Sequence, residues 1–283
     1  MKSINTLVKD INAVIMQEGG WDATCSKYAA ELISGALDRR LLPPESARTP
    51  TLRMSALGTP CRRKLWYDIN EPDEGEPLPP SSRFKFLYGD ILEVILIALA
   101  RAAGHRVEGV QDQLEIDGVV GHRDCVIDGI TVDVKSASSY SFKKFASGNL
   151  RADDPFGYIS QLSSYVYAGR SSSVESHPTL GAFLVVDKQN GHICLDMYDF
   201  GPELEAKEQE IREVRAAVNS PTKPDRAFTD EPEGKSGNMK LALQCSYCAH
   251  KKKCWPNLRT FLYSSGPVFL TKVVRQPNVP EVK

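Results

Sequence analysis

The stretch that most restricts the fold is GHRDCVIDGITVDVKSAS, residues 121–138, in which three aspartates and a lysine stand among β-branched residues. The dipeptide Asp-Gly at 128–129 favours a two-residue turn between two strands. With that turn, the three residues on either side pair with one another, and Asp124 falls directly opposite Asp133. The stretch therefore predicts a β-hairpin with two facing carboxylates.

Facing carboxylates destabilise a sheet, because side chains at such positions have Cβ atoms about 4.5 to 5.5 Å apart. A divalent cation removes the repulsion, and two carboxylates with water and phosphate oxygens suit Mg²⁺. Lys135 projects from the same face as Asp133, where it could orient an attacking water or stabilise charge on a phosphate. The alternative is a solvent-facing hairpin whose acids Lys135 balances. Asp128 is interpreted as a turn former.

Two further polar features lie on predicted helices. Glu93 interrupts the most hydrophobic helical segment, residues 83–103, where an acid normally needs a partner or a metal. Gln161 and Tyr165 stand four residues apart in a helix predicted over 155–169, with Pro155 suited to its first turn, so they share a helical face. Each feature alone is more often structural than functional.

Together these features follow a known order. Gly-x-x-x-Glu ends at Glu93, Gly-x-x-Asp ends at Asp124, Asp-Val-Lys spans 133–135, and Gln-x-x-x-Tyr spans 161–165. The order and spacing resemble those of RecB-type PD-(D/E)XK nucleases. The resemblance implies metal-dependent hydrolysis of phosphodiester bonds in DNA by an exonuclease that acts on DNA ends or single strands in recombination, repair or degradation.

The resemblance also implies roles for individual residues. The catalytic residues would be Glu93, Asp124, Asp133, Lys135, Gln161 and Tyr165. The residues binding Mg²⁺ or Mn²⁺ would be Glu93, Asp124, Asp133 and Val134. Many relatives have histidine where this chain has Glu93, but glutamate also binds hard cations. Gln161 and Tyr165 would contact the substrate or support the site.

Four of the seven cysteines form a second pattern. Cys245, Cys248 and Cys254 follow the spacing C-x2-C-x5-C, and Cys61 lies far upstream; the remaining cysteines, at 25, 125 and 194, are interpreted as small apolar fillers. Four thiolates can bind Zn²⁺ or an iron-sulfur cluster, and a one-plus-three arrangement favours the cluster over a zinc ribbon built from two pairs. Zinc held by the three late cysteines and His250 stays open as the alternative.

The segment SALGTPCRRKLWY around Cys61 resembles the first-cysteine region of RecB-family nucleases of the AddB and CRISPR-adaptation type. The resemblance spans about residues 53–257. It implies that Cys61, Cys245, Cys248 and Cys254 hold a 4Fe-4S cluster that closes the nuclease core.

The expected fold class is α/β, with a restriction-endonuclease-like core, a central mixed sheet flanked by helices. We expect an N-terminal helical region at 1–50, the core with its cysteine-rich C-terminal segment at 51–260, and a tail at 261–283. Strands are predicted near 105–110, 113–116, 119–127 and 130–136, a hairpin at 180–200, and helices at 3–17, 22–40 and 202–219. An acidic, proline-rich connector at 70–82 should be an exposed loop, and the residues after 219 should be loop-rich.

The formal net charge of −1 gives no global attraction for nucleic acid, so DNA contacts must come from local patches. The basic runs at 62–64 and 251–253 flank the cysteines, and with Trp66, Tyr67, Tyr247 and Trp255 they predict a positive, aromatic surface for single strands. Lys143, Lys144 and Arg151 are weaker candidates for the same role.

We expect a cytoplasmic protein without a membrane span or secretory signal. The two N-terminal helices could gate a channel, cover the core or bind a protein partner. The rival to a nuclease is a non-catalytic DNA-binding module that carries an iron-sulfur cluster or zinc and uses the hairpin only as structure.

Overall fold

The computed structural model describes residues 2–43 and 50–282. Met1, residues 44–49 and Lys283 lie outside the described residues, so the end of the predicted N-terminal region falls partly outside them. The chain divides into two compact units, one formed by residues 1–58 and 79–212, the other by 59–78 and 213–283.

The described residues form nine α-helices and twelve β-strands. The helices are α1 (Leu7–Ile15), α2 (Ala23–Leu41), α3 (Arg62–Asn70), α4 (Pro80–Ala102), α5 (Ser139–Ala146), α6 (Tyr158–Gly169), α7 (Gly201–Val218), α8 (Leu243–Ser246) and α9 (Lys251–Cys254). The strands are β1 (Val107–Glu108), β2 (Gln113–Ile116), β3 (Val119–His122), β4 (Cys125–Ile127), β5 (Ile130–Ala137), β6 (Leu180–Asp187), β7 (Ile193–Asp199), β8 (Glu231–Glu233), β9 (Asn238–Lys240), β10 (Arg259–Tyr263), β11 (Gly266–Lys272) and β12 (Glu281–Val282).

The first unit is built on a five-stranded sheet in the order β1-β4-β5-β6-β7. β5 and β6 pair in parallel and the other neighbours pair antiparallel, so the sheet is mixed. The two central strands consist almost entirely of buried residues, as expected for strands covered on both faces. The predicted α/β fold with a central mixed sheet flanked by helices is confirmed.

Helix α4 and the N-terminal helix α1 supply apolar side chains to the core of this unit. Ile97 of α4 and Leu7 and Ile11 of α1 are fully buried and belong to one cluster with Val132 and Leu184 of the sheet. α1 therefore covers the core, which is the second of the three roles considered for the N-terminal helices.

The single strand expected over 119–127 is wrong. Residues 119–122 form β3, which pairs with β2 in a two-stranded sheet, whereas 125–127 form β4 of the main sheet. The break falls at Arg123, whose buried guanidinium pairs with Glu175 at 2.5 Å and with Asp112 at 2.9 Å. A buried guanidinium needs anionic partners, and the chain leaves the strand where these contacts are made.

Helix α6 begins at Tyr158 and not at the predicted Pro155. Asp154 accepts hydrogen bonds from the backbone N–H groups of Gly157 and Ile159, at 2.9 and 2.8 Å, and so closes the turn before the helix. Gly157 has a φ of 76°, and a Cβ there would lie 1.6 Å from the carbonyl oxygen of Gly58. The chain can therefore enter the helix only through a glycine.

In the second unit, the loop-rich structure expected after residue 219 is wrong. Strands β8 to β12 form an antiparallel sheet in the order β12-β10-β11-β9-β8, and β11, β12 and the end of β10 lie in the expected tail. The expected loop at 70–82 instead carries a 3-10 helix at Pro72–Glu74, and α4 has already begun at Pro80. Within the described chain, no helix has the length and apolar character needed to cross a membrane.

Candidate metal-binding active site

Three of the four predicted pairs are present in the hairpin formed by β4 and β5; the fourth, Asp124 with Asp133, lies beyond the paired residues, because β4 begins at Cys125. Cys125 pairs with Val132, Val126 with Thr131 and Ile127 with Ile130. Both turn residues have positive φ, 52° at Asp128 and 83° at Gly129, which is the signature of a type I′ turn. The carboxylate of Asp128 accepts a hydrogen bond from the Arg106 N–H at 3.0 Å and lies 2.7 Å from His105 Nδ1, so its interpretation as a turn former is confirmed.

The other two aspartates meet at the open end of the hairpin. Asp124 immediately precedes β4, and its Oδ2 accepts a hydrogen bond of 2.7 Å from the backbone N–H of Val134. Asp133 is buried, with its Oδ2 2.5 Å from Lys135 Nζ in an ion pair. That oxygen accepts no hydrogen bond of regular geometry, so it keeps capacity for a further ligand.

Helix α4 brings a third carboxylate to this place. Glu93 Oε1 accepts a hydrogen bond of 2.8 Å from Gln111 Nε2. The backbone N–H of Gln111 also donates to the Asp124 carbonyl at 3.1 Å, so Gln111 links the two acids. We did not predict this role, because Gln111 lies in a loop outside every motif; its positive φ of 58° could not be read from the sequence.

Burial and neighbouring carboxylates raise the pKa values of Glu93 and Asp124. Burial, together with Asp90 and Asp133, raises the pKa of Glu93 to about 7. Burial, Glu93 and Asp133 raise the pKa of Asp124 well above its usual value. Burial alone would lower the pKa of Lys135, but Asp133 and Asp124 outweigh it and raise that pKa above its usual value. Lys135 therefore stays protonated while the acids compete for protons.

Helix α6 places Tyr165 beside the same group. Burial raises the pKa of Tyr165, as do the carboxylates of Asp133 and Asp124, and a hydrogen bond with Gln161 partly counteracts this. The helix thus brings both residues of the Gln-x-x-x-Tyr pattern to the site. All of Glu93, Asp124, Asp133, Val134, Lys135, Gln161 and Tyr165 meet at one end of the sheet.

Tyr158 at the start of α6 was missed by the sequence analysis. Lys135 Nζ lies 5.3 Å from the centre of its ring, which is a cation–π contact. None of the sequence motifs predicted this contact. The only sequence signal was a tyrosine three residues before Gln161, which is too common to interpret. Lys135 is therefore held by Asp133 and by Tyr158.

The fit of a divalent cation can be judged from the donor set. Within residues 2–43 and 50–282, no three His, Cys, Asp or Glu side chains already stand in metal-ligating geometry. The carboxylates of Glu93, Asp124 and Asp133 are nevertheless close enough to raise the pKa values of two of them. A hard cation with oxygen ligands relieves this repulsion, so the residues present fit Mg²⁺ or Mn²⁺.

Gly121, in the Gly-x-x-Asp pattern, is required by close packing. A Cβ there would lie 2.4 Å from the Met54 Cβ and 3.1 Å from the Tyr165 ring. We expect Gly121→Ala to lower the free energy of unfolding by about 1 to 2 kcal/mol, because inserting a methyl group forces these neighbours apart. Urea denaturation measures this; Gly35→Ala in α2, whose added atom would meet only the end of the Arg39 side chain at 3.6 Å, is the control and should not lower the stability. An unchanged stability of Gly121→Ala would contradict the packing.

The four motif cysteines are neighbours within the second unit. Burial, together with Cys61, Cys248 and Cys254, raises the pKa of the Cys245 thiol to about 11. None of the four forms a disulfide. Within the described residues no three of them already stand in metal-ligating geometry, but four neighbouring thiols are the ligand type that a cluster or zinc binds.

His250, the alternative zinc ligand, is engaged through one of its two ring nitrogens. It is buried, its Nε2 lies 2.8 Å from Asp68 Oδ1, and its ring stacks on Tyr67 with centroids 5.2 Å apart. The other ring nitrogen, Nδ1, is buried and has no hydrogen-bond partner among the described residues. The alternative set of three cysteines with His250 therefore stays open.

The lysines that were predicted to form a positive surface around the cysteines are engaged in ion pairs, so that prediction is corrected. The pairs are Lys251 and Lys252 with Glu76, and Lys253 with Glu71 and Glu74. Lys64 pairs with Asp68 at 2.6 Å. The acidic connector thus neutralises the basic run, and Tyr67 is buried. The sequence showed both charge runs but not that they pair.

Comparisons with known proteins return distant structural similarities. No family model matches the chain, and no curated protein matches it. The crystal structure of SSO0001 aligns with 80% of this chain and 95% of its own, at 15% identity and a TM-score of 0.45. An alkaline exonuclease is among the structural neighbours. This enzyme, LHK-Exo from Laribacter hongkongensis, aligns with 65% of this chain and 94% of its own, at 11% identity and a TM-score of 0.39.

A structure of LHK-Exo in complex with dAMP aligns with 68% of this chain and 92% of its own, at 15% identity and a TM-score of 0.35. Similarities of this size assign no activity to the chain. The function is therefore argued from the side chains of the site.

Proposed function

We propose that this protein is a divalent-metal-dependent nuclease that hydrolyses phosphodiester bonds in DNA. The observation that carries the proposal is the meeting of Glu93, Asp124 and Asp133 around the Lys135 ammonium. Burying several like charges costs stability, so a hairpin kept only for structure gains nothing from them. A bound cation and an anionic substrate give the arrangement a use.

The ion would be held by Glu93, Asp124, Asp133 and Val134. When bound, it supplies positive charge beside a phosphate and lowers the pKa of a water molecule. The protein's own contribution is to fix the acids. The Val134 N–H holds Asp124, and the Gln111 amide holds Glu93, so both carboxylates are positioned before a ligand arrives.

Lys135 would act on the phosphate directly. Its raised pKa keeps it protonated at neutral pH, and Asp133 and Tyr158 fix the direction of the ammonium. A fixed positive charge stabilises the negative charge that develops on the phosphoryl oxygens as water attacks. Gln161 and Tyr165 would position the substrate or support the acids from α6.

The expected mode is exonucleolytic, on DNA ends or single strands, in recombination, repair or degradation; the support is the resemblance in motif order to RecB-type enzymes. Digestion of end-labelled linear DNA, of linear DNA blocked at the 5′ or 3′ end, and of circular DNA tests it. With Mg²⁺ we expect linear DNA to be degraded and circular DNA to stay intact, and with EDTA we expect no degradation. DNA that is bound but never cut with Mg²⁺ or Mn²⁺ would favour the non-catalytic binding module instead.

We propose further that Cys61, Cys245, Cys248 and Cys254 hold a 4Fe-4S cluster. Anaerobically purified protein is then expected to contain iron and to absorb light at about 400 nm. Cys254→Ser should lose most of this iron, because serine is a poor ligand for iron-sulfur clusters, whereas Cys194→Ser, a half-buried cysteine of β7, should keep it. Stoichiometric zinc with no iron in the wild-type protein would contradict the cluster.

A further inference from the structure

Helix α5, which follows the catalytic strand β5 directly, presents an aromatic and basic face. Tyr140 is 73% exposed, and Lys143 is exposed one turn later. Lys144 Nζ lies 5.4 Å from the centre of the Tyr140 ring. Residues three and four apart share a helical face, so this ring and both lysines stand together.

A second exposed ring stands at the end of the same strand. Tyr88 of α4 is 41% exposed, and its hydroxyl donates to the carbonyl of Lys188 at 3.4 Å. The Lys188 N–H in turn donates to the carbonyl of Ala137, the last residue of β5, at 3.0 Å. These bonds tie Tyr88 and Lys188 to the end of the strand that carries Asp133 and Lys135.

A third exposed ring belongs to the turn before α6. Phe156 is 43% exposed, and its ring centre lies 5.9 Å from that of Tyr158, which contacts Lys135. The same turn is joined to α5 by the ion pair between Lys144 Nζ and Asp153 Oδ2 at 2.6 Å. The Phe156 ring therefore neighbours the Tyr158 ring that contacts Lys135, and the turn that carries Phe156 is joined to α5.

These side chains make up what we call the rim surface, which consists of Tyr88, Tyr140, Phe156, Lys143, Lys144 and Lys188. Within the described chain, Lys143 and Lys188 form no ion pair, and Asp153 is the acid that pairs with Lys144. The surface thus carries excess positive charge. It contrasts with the lysines at 251–253, whose charges are neutralised.

We propose that the rim surface binds single-stranded DNA, with Tyr140 and Phe156 stacking on bases and Lys143 and Lys188 contacting phosphates. Exposed rings beside unpaired lysines are what a single strand requires, because its unstacked bases offer their faces to aromatic side chains while its backbone needs cations. Duplex bases are already stacked and cannot use the rings. The inference rests on the proposed nuclease function and names the substrate that reaches the same site.

Binding can be measured without cleavage. Fluorescence anisotropy with dye-labelled oligothymidylate in EDTA gives the Kd of the wild-type protein, of Tyr140→Ala and of Phe156→Ala. We expect each substitution to raise the Kd roughly 5- to 150-fold, the range typical of losing one stacked base. Tyr140→Phe, which keeps the ring, should retain wild-type affinity. Lys143→Ala should reduce the dependence of Kd on salt, since one phosphate contact is lost.

Trp21→Ala is the matched control, because Trp21 is an exposed aromatic residue before α2 and outside the rim surface. Its Kd should equal that of the wild type. The inference is overturned if Tyr140→Ala and Phe156→Ala keep the wild-type Kd, if Trp21→Ala weakens binding equally, or if the wild type binds blunt duplex more tightly than the single strand. Metal-dependent digestion together with unchanged Kd values would overturn only this inference. Ring-dependent binding without digestion would support it and contradict the nuclease.

Discussion

Replacing Asp133 with asparagine is expected to slow Mg²⁺-dependent DNA cleavage by roughly 100- to 1000-fold, the range seen when one fixed electrostatic group is removed from an active site. Asparagine keeps the shape of the side chain but removes the charge that would bind the cation and that holds Lys135 at 2.5 Å. Single-turnover digestion of labelled linear DNA measures the rate. We expect Lys135→Met to lose a similar factor, because the ammonium no longer faces the phosphate.

Two matched substitutions separate these effects from general damage. Asp117→Asn changes an exposed turn residue with a φ of 49°, a conformation that asparagine tolerates. Lys235→Met removes an exposed lysine from the second unit. Both should cleave at the wild-type rate. If Asp133→Asn and Lys135→Met also retain that rate, the assignment of this site is wrong.

Replacing Glu93 with glutamine is expected to stabilise the metal-free protein at about pH 8 by about 1 to 3 kcal/mol. Burial, with Asp90 and Asp133, raises the pKa of Glu93 to about 7 from 4.5. Between these values the folded chain binds a proton that the unfolded chain has lost, so the free energy of unfolding falls as pH rises through this window. Glutamine stays neutral and avoids that loss.

Urea denaturation in EDTA at about pH 4.5 and pH 8 measures the effect. The gain from Glu93→Gln should be near zero at the lower pH, where Glu93 is protonated in the folded protein, and should reach its full size at the higher pH. Glu115→Gln, on the exposed side of β2, is the matched control and should show no such dependence. A gain for Glu93→Gln of the same size at both pH values would mean that the titration of Glu93 does not cause it.

The hairpin could be predicted in register because its determinants are local. A two-residue turn at Asp128 and Gly129 fixes which residues pair, and alternation then fixes which faces they share. The order of the motifs predicted Glu93, Gln161 and Tyr165 as neighbours of the acids, and the structure brings them together.

Features that depend on distant partners could not be predicted. The end of β3 is set by Arg123, whose partner Glu175 is far away in sequence. The lysines at 251–253 look like a nucleic-acid patch until their pairing with Glu71 and Glu76 is known. Strands such as β8, β9 and β12 are only two or three residues long, so alternation has too few positions to be recognised.

The central claim is that the carboxylates of Glu93, Asp124 and Asp133 form a divalent-cation site. Electron paramagnetic resonance of Mn²⁺ tests it most directly, because bound Mn²⁺ is removed from the signal of the free ion. We predict that wild-type protein reduces the free-ion signal near neutral pH and that an Asp124→Asn, Asp133→Asn double variant does not. A free-ion signal that is the same with wild-type protein, with the double variant and with buffer alone would contradict the account.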